Sequence, residues 1–242
     1  MQQQQRPTNS RNQITLRGST KIIVEFFEYC INSLLFQRGL YAPEYFKMTK
    51  KYGLNMLVTN DPEVKSHMRE ILKQVEAWLM ACKVEKLILA IKSKETMTVL
   101  ERWQFDIHNT KDLSSNFSAT TTTSTDPFSR PLAGQESIST TATSSLSSPS
   151  KPKPEKTEKE IQTEIQAILR QITASVSFLP MLDEKCTWTI LCQTEKDAEV
   201  PATWSDADPH LVHNAEQVKL RSFSTNLHKI DALVAYRLND DL

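Results

Sequence analysis

Histidine and cysteine are the side chains of this 242-residue sequence best suited to metal or nucleophilic chemistry, and it has five of the first and four of the second. The close histidine pair is His210-Leu-Val-His213, beside Pro209, with Asp206 and Asp208 just upstream. A metal centre needs three or four converging ligands, and this pair has no third at matching spacing. A solvated acidic loop is the better reading. Cys30, Cys82, Cys186 and Cys192 are widely separated and lack zinc-ligand spacing, so they read as buried free thiols of a reduced compartment. Cys82 and Cys192 lie in apolar patterns and read as core rather than as nucleophiles, and no serine stands in a nucleophile-elbow context. The four glycines, Gly18, Gly39, Gly53 and Gly134, are isolated, which rules out a glycine-rich phosphate cradle. The expectation is a protein that is not an enzyme, with no catalytic residue, no metal and no cofactor.

Charge composition narrows the partners. Twenty-nine basic and twenty-nine acidic side chains balance, so no field draws in nucleic acid or an anionic membrane. Glu25 interrupts the apolar run at Ile22 and Lys92 ends the one from Leu87, so neither reaches membrane-spanning length. Residues 1–12 are polar, lack a signal-peptide centre, and read as a disordered tail. A soluble intracellular protein that binds other proteins is the class left.

The elements that must position a binding surface follow from periodicity. Ile14-Thr-Leu16 has the form of a short edge strand. Ser19 reads as the cap of a helix with apolar doublets from Ile22 to Leu35, ended by Arg38-Gly39. Lys51-Tyr-Gly-Leu54 marks a small hairpin, and Asp61-Pro62 starts a second helix with apolar positions from Val64 to Cys82. Lys86–Ile91, apolar on both faces, and Val99–Ile107, alternating, form an antiparallel pair. From about 110 to 153 serine and threonine make up roughly half the residues, too little apolar surface to offset ordering entropy, so a disordered insertion is expected there. A third helix follows over 155–174, with Arg170 on the side away from Ile161. Cys186–Cys192 is a third main strand. The class is α+β, three helices on a small antiparallel sheet, and 13–242 forms a single domain.

Three features have no catalytic use and can still bind. Arg170-Gln171 is an exposed helix pair whose ordinary reading is a solvated face. Trp78 and Trp103 have core spacing, but Trp204 stands in a polar, proline-bounded loop and needs a surface to pack on. The stretch Val218–Leu238 alternates at first, slips phase at Ser222, and has Leu233, Val234 and Ala235 in a row. Read as one strand, it does not fix its own face, and its register is weakly specified.

The blocks Thr15-Leu-Arg-Gly-Ser19, Glu25-Phe-Phe27, Ile31-Asn-Ser33, Gln37-Arg-Gly39, Lys51-Tyr-Gly-Leu54, Leu100-Glu-Arg-Trp-Gln-Phe-Asp106, Arg170-Gln-Ile-Thr-Ala174, Thr194 to Asp197, Val200-Pro201, Leu220-Arg-Ser-Phe223, His228-Lys229 and Val234-Ala-Tyr236 resemble the Mad-type spindle-assembly-checkpoint members of the HORMA-domain family. The likeness spans nearly the whole chain apart from the tail, the insertion and Asn239–Leu242. It implies a two-state adaptor whose C-terminal segment, about 196–242, is a mobile safety belt, with Pro201, Trp204, Leu220, Phe223, His228 and Tyr236 in it. In the family's open form the belt pairs with the third main strand. In the closed form it lies beside the Val99–Ile107 strand, displaces the N-terminal strand near Ile14–Leu16, and frees the edge formed by Thr187, Trp188, Thr189, Ile190, Leu191 and Cys192 for a short peptide. The implied partners are the activator subunit of the anaphase-promoting complex, a coiled-coil kinetochore checkpoint receptor, and other checkpoint proteins. An open–closed homodimer is implied through the third helix, with Arg170 and Gln171 as candidates and Phe178, Gln37 and Arg221 beside them. The implied role is inhibition of that ubiquitin ligase to delay anaphase, in nucleus and cytoplasm, at unattached kinetochores and at the interphase nuclear envelope. Another HORMA adaptor, such as the regulatory subunit of a translesion polymerase, would share the fold but not the Leu-Arg-Gly-Ser, Glu-Arg-Trp-Gln-Phe-Asp and Arg-Gln-Ile-Thr blocks.

Overall fold

Helix α1, Leu16–Gln37, is buried along most of its length by Ile23, Phe26, Phe27, Cys30, Ile31, Leu34 and Leu35. The computed structural model describes residues 14–110 and 155–238; the expected tail, the Ser/Thr-rich insertion and residues 239–242 lie outside them. The strand expected at Ile14–Leu16 is not formed. Thr15 caps α1 instead of Ser19, its Oγ1 accepting from the Gly18 N–H at 3.1 Å. The helix stops where Gly39 turns left-handed at φ +64°, as its sequence requires.

Strands β1 (Phe46–Lys51) and β2 (Leu54–Thr59) form the small hairpin. Its turn residues Tyr52 and Gly53 both have positive φ, the geometry of a tight two-residue turn. Glu25 on α1 holds this turn, accepting from Lys51 at 2.7 Å and from the Tyr52 hydroxyl at 2.5 Å. Helix α2, Pro62–Met80, starts at Asp61, whose carboxylate accepts from the N–H groups of Glu63 and Val64. Cys82 is a correction: it is exposed, past the end of α2, with φ +56°, so the apolar period stops at Leu79.

The main sheet contains β3 (Val84–Ser93), β4 (Val99–Asn109), β5 (Cys186–Thr194), β6 (Ala215–Lys219) and β8 (His228–Arg237), in the order β5-β3-β4-β8-β6, with β7 (Phe223–Ser224) paired to β8. All pairings are antiparallel. Helix α3, Glu158–Ser175, packs beside α1; Thr157 and Glu160 close a capping box at its start. Register puts Ile190, Leu89, Trp103, Val234 and Val218 in one cross-strand row under the helices, and Thr189, Ala90, Arg102, Ala235 and Gln217 in a row on the outer face.

The stretch that reads as one strand of poor period is three strands folded back on themselves. Leu220 N–H donates to the Ala232 carbonyl, the chain then bends toward α3, and Phe223 pairs with Ile230. The phase slip at Ser222 is that bend. In β8 the succession Leu233, Val234, Ala235 fits a strand flanked on both edges, with Val234 in the core and Ala235 buried on the outer face.

A buried ion pair ties α1 to the sheet. Arg38 Nε donates to Glu101 Oε2 at 2.8 Å, with the two side chains 5 % and 1 % exposed, and Trp103 Nε1 donates to the other Glu101 oxygen. Removing one charge of such a pair leaves the other buried and unpaired. Glu101→Gln is expected to lower the unfolding free energy by about 3 kcal/mol in urea titrations; a change below about 1 kcal/mol would show that the pair is not a stabilising contact.

Candidate peptide-binding edge and belt

Strand β5 ends the sheet, and its outward edge pairs with no strand among the described residues. Every second residue of such a strand turns its N–H and C=O outward, which makes it a template for one more strand. Its side chains fall into two sets by register. Trp188, Ile190 and Cys192 point under the helices and pack against the core; Thr187, Thr189 and Leu191 point to the outer face. Trp188 is fixed by its Nε1–H bond to the Tyr41 hydroxyl at 2.9 Å and by the His67 ring on α2 at 5.5 Å. Burial pushes the Cys192 thiol up to about 12, so it stays protonated and unreactive.

The segment after β5 begins on the helix side. Lys83 clamps Glu195 at 2.7 Å and Asp197 at 2.8 Å; these hydrogen bonds raise the lysine above its ordinary value and hold Asp197 below its own. Trp78 at the end of α2 donates from Nε1 to the Glu199 carbonyl at 2.9 Å, and its ring meets Trp204 edge-on at 4.9 Å. The surface Trp204 needs is thus the domain's own α2. Pro201 makes the turn between them, its carbonyl accepting from the Trp204 N–H. By residue 209 the chain has reached the outer face, where Arg102 Nε donates to the Pro209 carbonyl at 3.3 Å and Lys92 Nζ lies 3.3 Å from His210 Nε2. Between 199 and 209 the chain passes from the helix face to the outer face of the sheet. It then continues into β6 at the opposite edge.

Burial lowers the pKa of His210, helped by Lys92, so the neutral ring accepts from the lysine. His213 takes no part in that contact, and among the described residues no group of three metal-binding side chains occurs. No helix among the described residues is long and apolar enough to cross a membrane.

The remaining candidates divide. Leu220 packs against the core, and Phe223, His228 and Tyr236 are buried parts of the C-terminal hairpin. Tyr236 donates to Glu216 at 3.0 Å. Arg170 is exposed on α3, as its position opposite Ile161 requires. Its neighbour Gln171 accepts from the Arg221 N–H at 2.6 Å, joining α3 to the bend before β7. Phe178 is 46 % exposed beside Tyr236. Gln37 is the last residue of α1. Trp78, Lys83 and Arg102 as belt anchors were not legible, because each meets the belt across more than a hundred residues.

Comparison with known proteins places this architecture. The HORMA domain profile matches residues 19–228. The mitotic spindle checkpoint component mad2 of Schizosaccharomyces pombe is 45 % identical over 231 residues, covering 95 % of this chain and 97 % of that protein. A chain in a crystal structure of a mitotic checkpoint complex matches with TM-score 0.71 and 44 % identity, covering 92 % of this chain and all of that one. C. elegans HTP-2 bound to an HTP-3 closure motif matches with TM-score 0.64 at 10 % identity, over 93 % of this chain and 88 % of that one, a likeness of fold. The chain belongs to the HORMA-domain family, in its spindle-checkpoint branch. β8 lies beside β4, the pairing that the resemblance implies for the closed arrangement.

Replacing Trp78 by Phe keeps the ring and removes its donor to Glu199. Loss of one such bond weakens the anchor by about 1 kcal/mol. Amides of 198–204 should then exchange several times faster, with β3 amides unchanged; equal rates in both proteins would mean that Trp78 does not anchor the segment.

Proposed function

We propose that this protein works in the spindle checkpoint by capturing a short extended peptide as an added strand on the outward edge of β5, beneath segment 195–214. The peptides are segments of the activator subunit of the anaphase-promoting complex and of the coiled-coil kinetochore receptor. Holding the activator withholds it from the ubiquitin ligase and delays anaphase, in the nucleus and cytoplasm and at unattached kinetochores. The observation that carries the reading is the terminal strand β5 with the chain after it crossing from one face of the sheet to the other.

Magnitudes explain the need for a belt. Each backbone bond to an added strand contributes only about 0.5–1.5 kcal/mol net, so a bare strand leaves quickly. A peptide lying inside the loop leaves only when the Trp78, Trp204 and Arg102 contacts open, which ties its off-rate to local unfolding. Trp188, with Tyr41 and His67 behind it, offers inward-pointing peptide side chains an apolar surface. Thr187, Thr189 and Leu191 offer the other set a mixed one.

Tiling twelve-residue peptides across the activator subunit should identify one that binds slowly and dissociates over hours, and that protects β5 amides from exchange. Rapid binding and release of every peptide would exclude a threaded complex. Self-association belongs to a separate surface, with Arg170 on α3, the Gln171–Arg221 contact, Phe178 and Gln37 as its candidates. Arg170→Glu is expected to abolish the dimer in sedimentation while leaving peptide capture intact; loss of both would make that helix face structural.

A further inference from the structure

The first turn of α1 meets the corner between β7 and β8 through a closed set of buried polar groups. Ser19 Oγ lies 2.7 Å from both Thr225 Oγ1 and His228 Nδ1. Thr225 Oγ1 also accepts from the N–H groups of His228 at 2.9 Å and Leu227 at 3.2 Å. Ser19, Thr225 and His228 are 0 %, 4 % and 1 % exposed. With two N–H groups already directed at its oxygen, the Thr225 hydroxyl is a donor, with Ser19 Oγ at 2.7 Å and the His228 carbonyl at 3.3 Å as its acceptors. With the Thr225 oxygen filled by two N–H groups, the Ser19 proton is best placed on His228 Nδ1, the arrangement of a neutral imidazole whose Nδ1 accepts. Such a set suits a neutral imidazole. Phe223 beside it packs on Phe26 at 4.8 Å, while Thr20 Oγ1 is buried without a hydrogen-bond partner. This end of α1 is therefore held by the C-terminal hairpin as well as by its own Thr15 cap.

We propose that Ser19, Thr225 and His228 form a latch that holds the β6–β8 hairpin in its β4-paired arrangement and so sets how long a captured peptide is retained. They are positioning residues, distant in the sheet from the β5 edge, and this part of the proposal rests on the peptide-capture reading. The hairpin cannot leave β4 without separating Ser19 from both partners. Ionisable neighbours do not replace them. On β4, Asn109 faces His228, and His108 pairs with Asp231 at 3.1 Å; from α3, the Lys156–Glu164 pair is bound to Ser224; Arg17 and Lys21 of α1 are exposed. Burial alone lowers the pKa of His228. A histidine whose folded pKa lies below its unfolded value of about 6.5 stabilises the fold above that pH, and the contribution is lost as pH falls. A proton on Nδ1 would also reverse the relay and direct a third donor at Thr225 Oγ1.

The test is native-state amide exchange on the full peptide-free chain, comparing β8 with β3 in Ser19→Ala, His228→Gln and the double variant. Loss of one buried hydrogen bond corresponds to roughly three- to tenfold faster opening. That factor is expected in β8 with β3 unchanged, and the double variant should match Ser19→Ala, which already removes the bond to His228 together with that to Thr225. Between pH 6.5 and 5.5, after correction for intrinsic rates, β8 should loosen in the parent chain and not in His228→Gln. Additive effects, equal loosening of β3 and β8, or a pH-insensitive parent chain would each overturn the latch. A tiled activator peptide that binds should dissociate faster from Ser19→Ala by the same factor; an unchanged off-rate overturns its role in retention. If no peptide binds, the capture reading fails, and the exchange data still decide the latch.

Discussion

An interior strand has two edges, and in this fold the second edge of β4 is held by β8 across every pair from Glu101↔Tyr236 to Asn109↔His228. Much of the remaining arrangement follows. With that edge filled, residues 14–16 have no strand to join, and Thr15 instead caps a helix that starts at Leu16. With β8 and β6 stacked on the far side, β5 is left as the other end of the sheet. The chain leaving β5 must then reach β6 across the sheet, and the route taken places it over the outer face at Arg102. The exposed edge and the segment that overlies it are thus two consequences of one pairing.

The segment and the hairpin are held by different physics. The hairpin is core: Phe223, Ile230, Ala232, Val234 and Tyr236 are buried, and Phe223 joins the aromatic cluster of Phe26, Phe27 and Phe105. Segment 195–214 contributes only Ala198 and Trp204 to the periphery of that core, and its other anchors are single hydrogen bonds or an exposed lysine clamp. Few buried apolar contacts mean low local stability. The segment is thus the less firmly held of the two.

Local chemistry made much of the fold legible. The doublets from Ile22 to Leu35 gave the central helix, Asp61-Pro62 the start of α2, and the alternation Trp188, Ile190, Cys192 the inward face of β5. Failures came where a local signal was outcompeted. Ser19 has the chemistry of a cap, but Thr15 lies one turn earlier and takes that role, which releases Ser19 for the corner of β7 and β8. Cys82 continues the apolar period of α2 by spacing alone, yet the helix ends before it and the chain turns left-handed. The expectation of a peptide-binding edge and a belt came from the blocks that carry the family likeness, not from periodicity. The anchors Trp78, Lys83 and Arg102 are ordinary helix-end and strand residues until the chain returns to them.

The C-terminal stretch shows what a blurred period can mean. Its slip at Ser222 is a fold-back, and the apolar run in β8 is that of a strand between two neighbours. Near its end β8 buries Ala235 on the outer face between Val234 and Tyr236 on the inner one, so hydrophobicity there distinguishes the two faces poorly. The missing specificity lies at the corner, where His228 and Thr225 find partners only if β8 enters with Ile230 and Ala232 toward the helices. A one-residue slip would turn His228 away from Ser19 and leave buried polar groups without partners, a penalty of about 1–3 kcal/mol for each group. Apolar area holds this hairpin to the sheet, and a small set of polar atoms at its corner decides in which register.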